Sequence, residues 1–219
     1  MEAMRSHGER GLVPKKVDHD ARRRGIADAL LRLAADEGLE SVSLRAVAAR
    51  AGVSMGAVQH YFRSKDEMLE FALEHQASRR DARIAARLTA AGRVPTVREL
   101  VRVSALEVLP TDEQSRIDYL SGAAFFIRAL REPRLAERLA EGGPKLHAFF
   151  AAQLARAEEA GELAEGVDVH QEAMLLWAVV AGQASGLVLG ERTAEEATAT
   201  LDYHIGRLFR PVPARATVG

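Results

Sequence analysis

Between Ser54 and Lys65 the chain reads SMGAVQHYFRSK, and the side chains of this stretch have the chemistry of base-edge and phosphate contact. Val58 and Phe62, four residues apart, are the inner anchors of a short helix. That leaves Met55, Gly56, Ala57, Gln59, His60 and Tyr61 for its exposed face. The Gln59 amide matches the N6 and N7 edge of adenine, and the Ala57 methyl matches a thymine methyl. Gly56 lets the backbone approach a duplex closely, and the Tyr61 phenol is a donor to phosphate. Lys65 adds a point charge at the amino end of the next helix, where unpaired N–H groups already favour anions. Ser43 and Arg45 open the preceding helix and are placed for phosphate and base-edge contact. His60 is expected to pack or to meet phosphate rather than to read a base.

Holding such a face in place takes a helix, a tight turn and a second helix. Leu44, Val47 and Ala48 fall at helical spacing after Ser43, which caps them, and Ala51, Gly52 and Val53 end that helix. Ser54 then caps the next, because its hydroxyl accepts a first-turn N–H. This is the helix-turn-helix plan, whose second helix lies in the DNA major groove. Upstream, Asp18 or Asp20 is expected to cap a helix with the apolar stripe Ile26, Leu30, Leu33 and Ala34, stopped at Gly38. Lys15, Lys16, Arg22, Arg23 and Arg24 form a basic cluster leading into it. Residues 1–65 hold 12 Lys and Arg against 8 Asp and Glu, although the whole chain carries a net charge of −1. A basic head on an acidic body suits phosphate binding.

The stretch AGVSMGAVQHYFRSKDEML resembles the DNA-binding signature of the TetR family of one-component transcriptional regulators, the TetR/AcrR-like repressors. The matching positions are Ala51, Gly52, Val53, Ser54, Gly56, Val58, Tyr61, Phe62, Ser64, Lys65 and Leu69. The family's common aromatic between Val58 and His60 is Gln59 here. The resemblance implies DNA contact at Arg45, Met55, Gly56, Ala57, Gln59, Tyr61 and Lys65. With Ser43, Ser54 and His60 these make up the expected DNA-binding set.

Beyond the head, helix signals continue without a break in type. Ser64 and Glu67 have the spacing of a capping box, as do Thr96 with Glu99 and Thr193 with Glu196. Met68, Leu69, Ala72 and Leu73 face inward on the helix after Ser64, and Arg79, Arg80, Arg83 and Arg87 make its far part polar, the expected lever between head and body. Gly92 to Pro95, Pro110, Glu132-Pro133, Gly142-Gly143-Pro144 and Gly161 are expected breaks, with Pro144 at a first helical position. Asp168 opens an apolar helix reaching about Leu189, too interrupted by Gln183, Ser185 and glycines to be read as a membrane span. No run alternates with period two between hairpin signals. The expectation is an all-α fold of about nine or ten helices: a flexible basic arm over 1–17, the helix-turn-helix domain over 18–65, a helical ligand-binding and dimerisation body over 66–210 and a frayed tail over 211–219.

For the body, the resemblance implies a small-molecule pocket among the middle helices. Its expected lining is Tyr119, Phe125, Phe126, Phe149, Phe150, Met174 and Trp177, with His147, Gln153 and Gln183 as polar contacts. It also implies a homodimer joined by the last two helices, where Gly182, Gly186 and Gly190 allow close approach and Leu201, Ile205 and Leu208 form an apolar stripe. The expected partners are thus a double-stranded DNA operator, a small, largely apolar effector and a second copy, with no membrane. No cofactor and no metal are expected. With no cysteine there is no disulfide framework or thiolate site, and the composition suits the cytoplasm. The histidines at 7, 19, 60, 75, 147, 170 and 204 make no paired metal motif on one helix face, and no glycine-rich phosphate loop follows a strand, so catalysis is not expected. The reading is a ligand-responsive repressor. The alternative is a helical small-molecule or partner-binding protein whose head no longer reads DNA.

Overall fold

Local capping chemistry sets where most helices of this chain begin. The computed structural model describes residues 15–90 and 92–211, so positions 1–14 of the arm expected over 1–17 and 212–219 of the tail expected over 211–219 lie outside the described residues. Among these, nine helices follow one another: α1 (Lys15–Glu37), α2 (Leu44–Ala51), α3 (Met55–Tyr61), α4 (Lys65–Thr89), α5 (Val97–Leu106), α6 (Glu113–Ala129), α7 (Pro133–Glu159), α8 (Val169–Val188) and α9 (Ala194–Leu208). Ser43, Ser54, Ser64, Thr96, Asp112, Asp168 and Thr193 each accept a first-turn N–H, a contact worth about 1 kcal/mol. Full reciprocal boxes form at Thr96–Glu99, Asp112–Ser115 and Thr193–Glu196.

The structure corrects the reading of helix ends in three places. Lys15 to Val17, expected in the arm, are already helical, and Asp18 and Asp20 lie inside α1 instead of capping it; no proline or glycine interrupts 15–24. At Ser64 the box is displaced by one residue. Ser64 accepts the Glu67 N–H at 3.1 Å, but the Glu67 carboxylate takes the N–H of Arg63 at 2.8 Å and the guanidinium of Arg23 at 3.3 Å. Finally, α7 runs straight through Gly142, Gly143 and Pro144. An interior proline costs about 3 kcal/mol, and α7 offsets it because its two ends are buried in different cores, Leu135 in one and Phe150, Leu154 and Ala157 in the other.

The first core is that of the head. Ile26, Leu30 and Leu31 of α1, Val47 of α2, Val58 and Phe62 around α3, and Met68, Leu69 and Ala72 of α4 close on one another. Phe125 and Ala129 of α6 and Leu135 of α7 complete it from the body side. The second core gathers Val101 and Ala105 of α5, Phe150 and Leu154 of α7, Leu176 and Val180 of α8, and Leu201 and Ile205 of α9. After α9 the chain straps back on the loop between α7 and α8: the Ala164 N–H donates to the Leu208 carbonyl at 2.9 Å and the Arg210 N–H to the Glu162 carbonyl at 2.8 Å.

Candidate nucleic-acid interface

The turn between α2 and α3 is built by a glycine in a conformation that other residues avoid. Gly52 has φ 67° and ψ 30°, and its N–H closes on the carbonyls of Ala48 and Ala49. Val53 follows, and the Ser54 hydroxyl accepts the Ala57 N–H at 3.1 Å. Val58 is fully buried and Phe62 nearly so, which fixes the rotation of α3. Met55, Gly56, Gln59 and His60 are therefore exposed, with Ala57 and Tyr61 half-buried. A Cβ added at Gly56 would meet nothing nearer than the Ser54 hydroxyl at 3.9 Å, so packing within the chain does not require glycine there. Arg45 stands exposed on the first turn of α2, beside its cap Ser43.

Three basic residues turn out differently from one another. Arg23, expected in a phosphate-facing cluster, lies over the rings of Phe62 and Phe71 at 4.8 and 4.4 Å and pairs with Glu67. It is a cation–π clamp on the head's core. Lys65 directs its ammonium to the Val42 carbonyl and so ties the start of α4 to the loop before α2. Burial, then the Arg128 guanidinium, hold its pKa below the usual lysine range. The sequence could not reveal this inward contact, because Val42 lies 23 residues earlier. Arg50 pairs with Asp36 at 2.8 Å and Glu37 at 3.4 Å at the end of α1. His19, which sequence reasoning missed, packs edge-on against Tyr61 with 4.8 Å between ring centroids, and Tyr61 packs against His60 at 5.2 Å. The signal for His19 was its place seven residues before Ile26, on the same side of α1.

A capped seven-residue helix with an exposed polar and small-residue face, anchored on α1, α2 and α4, is one half of the decisive observation. The other half is the match to known proteins. The family described as "Bacterial regulatory proteins, tetR family" matches residues 26–72, and "BetI-type transcriptional repressor, C-terminal" matches residues 95–210. This chain belongs to the TetR family. It is 31% identical over 172 residues to the HTH-type transcriptional regulator PksA of Bacillus subtilis (strain 168), covering 78% of this chain and 81% of that protein. It is 30% identical over 174 residues to the HTH-type transcriptional regulator BetI of Burkholderia mallei (strain NCTC 10229), covering 78% and 88%. A transcriptional regulator from Rhodococcus sp. Rha1, at 32% identity, superposes with a TM-score of 0.68 over 85% of this chain and 95% of that one. The protein is thus a DNA-binding transcriptional regulator and not an enzyme.

As a TetR-family body, the second half of the chain departs from the expected pocket. Phe125 is fully buried in the head's core, where it packs because α6 lies along α1. Phe150 is sealed in the body's core. Phe126 and Met174 point outward, 60% and 54% exposed. Gln153 accepts from Arg156 at 3.0 Å. His147 meets Trp177 edge-on at 5.6 Å, and the Tyr119 hydroxyl lies 2.8 Å from that of Ser185. The His147 Nε2 and Gln183 Oε1 atoms are buried with no hydrogen-bond partner among the described residues. A cleft of about 580 Å³ opens between α7 and the start of α8, lined by Ala152, Ala155, Val167 and His170, and none of the expected pocket residues borders it.

The expected interface residues need the same correction. Leu201, Ile205 and Leu208 are buried in their own chain, because the inward face of α9 packs on α5 and α8. Gly186 is buried as well, and a Cβ added there would meet the Arg192 side chain at 3.4 Å. Gly182 is exposed with nothing within 4 Å of an added Cβ. It lies on the outward face of α8 with Met174, Ala178, Ser185 and Leu189. No helix among the described residues is long and apolar enough to cross a membrane.

Proposed function

We propose that this TetR-family regulator is a repressor that binds a near-palindromic operator as a homodimer and is released by a small, largely apolar effector. The observation that carries the reading is the outward face of α3, where Met55, Gly56, Gln59 and His60 stand clear of the core on a helix fixed by its Ser54 cap and by Val58 and Phe62. Each α3 lies in a major groove with its first turn at the base edges. Gln59 pairs with adenine through N6 and N7, and Ala57 meets a thymine methyl. Arg45, His60 and Tyr61 hold the register on phosphates, while Lys65 holds the head together through Val42.

Two features of the body support the dimer and the effector. The α8 stripe of Met174, Leu175, Ala178, Gly182 and Leu189 is apolar and uncovered, as an interface with a second copy requires. Two-fold symmetry then implies half-sites about 10 base pairs apart, or a multiple of that. The buried, unpartnered His147 Nε2 and Gln183 Oε1 are atoms that a ligand's polar group would satisfy, and Trp177 and Tyr119 offer it aromatic surface. An effector that binds one body conformation more tightly than another shifts the heads away from the operator-competent arrangement.

The test is to incubate the purified protein with random duplexes at near-physiological salt and sequence the retained pool. Enrichment of an inverted repeat is the expected outcome. A pool with no enriched sequence, from protein shown by mass spectrometry to carry no small molecule, overturns the reading.

A further inference from the structure

Arg79, Arg83 and Arg87 repeat every four residues on α4 and so form one stripe along it. Each finds carboxylates on other helices. Arg79 donates Nη1 to Asp28 of α1 at 2.6 Å and Nη2 to Asp118 of α6 at 2.5 Å. Arg83 donates Nη2 to the other oxygen of Asp118 at 2.9 Å and Nε to Glu107, the residue that ends α5. Arg87 pairs with the second oxygen of Glu107 at 3.1 Å. Successive arginines thus share carboxylates in a ladder of three cations and three anions. His75 adds a contact to Asp28 at 2.9 Å, and Gln76 donates to the Asp118 carbonyl at 2.7 Å.

This is an expensive way to hold a helix. The Glu107 side chain is only 2% exposed and that of Asp118 13%, and buried ion pairs are often no more stabilising than apolar side chains of the same volume. What charges supply instead is register, since a planar guanidinium meets two carboxylates in one geometry. Arg79 is the critical rung, because one fork joins the head helix α1 to the body helix α6.

We infer that the α4 arginine ladder is the positioning device that sets the orientation of the reading head on the body, with Arg79 as its joint. Its body end adjoins a second contact: Tyr119, next to Asp118, bonds Ser185 on the outward face of α8. A shift of α6 against α8 therefore passes through Asp118 to Arg79 and on to Asp28. Reading that path as the route of an effector signal rests on the proposed effector response; the positioning role does not.

The chain contains no cysteine, so cysteines introduced at exposed Arg24 on α1 and Glu159 on α7 take spin labels at those sites alone. Diluting labelled with unlabelled full-length chains leaves intrachain pairs, whose distance distribution is read by double electron–electron resonance. The measurement uses neither operator nor effector, so it stands or falls apart from the repressor reading. Arg79→Lys keeps the charge and removes the fork; the distribution is expected to broaden and shift. Asp28→Asn cuts only the head side, leaves the α4–body pairs intact and is expected to do the same, which covers the case of a misfolded lysine variant. Arg102→Lys breaks the comparable two-pronged Arg102–Asp202 pair inside the body and is expected to leave the distribution unchanged. An unchanged distribution in the folded Arg79 and Asp28 variants, or equal broadening in the Arg102 variant, overturns the inference.

Discussion

Phe125 and Phe126 are neighbours in sequence, and both are aromatic candidates for a ligand pocket, yet the structure assigns them opposite consequences. Phe125 is fully buried between α6 and the head, and truncating such a side chain to alanine removes about 3–5 kcal/mol through lost transfer energy and the cavity left behind. For a chain of this length that lowers the thermal midpoint by about 6–20 °C, at about 2–4 °C per kcal/mol. Phe126, 60% exposed, is expected to change stability by no more than about 0.5 kcal/mol on the same substitution. The assay is urea unfolding followed by far-UV circular dichroism at one fixed protomer concentration, because self-association makes stability concentration-dependent. The midpoint of Phe125→Ala should fall with an unchanged slope, the sign of a stability change rather than a change in denatured-state compactness. A loss under about 1 kcal/mol for Phe125→Ala would refute the assignment of α6 to the head's core. A loss at Phe126 matching that at Phe125 would refute the difference in burial.

Further expectations follow from the interface and the caps. Gln59→Ala should relax base preference at one position of each half-site by about 1–3 kcal/mol, read by comparing enriched pools; unchanged preference at every position would exclude Gln59 as a base reader. Glu99 accepts first from Arg93 and then from the Thr96 N–H and hydroxyl, which lowers its pKa from the ordinary 4.5 to about 2. Because the folded value lies below the ordinary one, the stability this contact lends α5 is complete above about pH 4.5 and lost as pH falls through about 2. A carboxyl NMR titration of Glu99 with its midpoint above 4 would contradict the cap geometry. Leu175→Asp places a charge on the outward stripe of α8 and should convert the proposed dimer to monomer in sedimentation velocity while leaving the far-UV spectrum intact. A dimer that persists would move the interface elsewhere.

What could be read from the sequence was local. Ser43, Ser54, Thr96 with Glu99 and Thr193 with Glu196 announce helix starts because a cap bonds within its own first turn. Gly52 announces the turn because only its backbone conformation is at stake. The outward face of α3 follows from the spacing of Val58 and Phe62. The features that escaped depend on partners far along the chain. Periodicity marks Leu201, Ile205 and Leu208 as an apolar face but not whose helices cover it, and the cover is their own α5 and α8. The run from Ala123 to Ile127 is apolar throughout, so α1 decides that Phe125 and not Phe126 turns inward. Lys65 has the type of a phosphate ligand, and its direction is set by the Val42 carbonyl 23 residues earlier. The arginines of α4 read only as a polar face, because their partners Asp28, Glu107 and Asp118 come from α1, the end of α5 and α6.

Since Phe125, Ala129 and Leu135 finish the interior of the head, the DNA reader of this protein is not a detachable cassette. Residues 26–72, the part matched by the family's amino-terminal description, would carry an open apolar seam if spliced onto another sensor. A working hybrid has to transplant the inner faces of late α6 and early α7 along with the reader. The unit that can be exchanged is therefore discontinuous in sequence, and sensor engineering with this scaffold should cut along surfaces rather than along the chain.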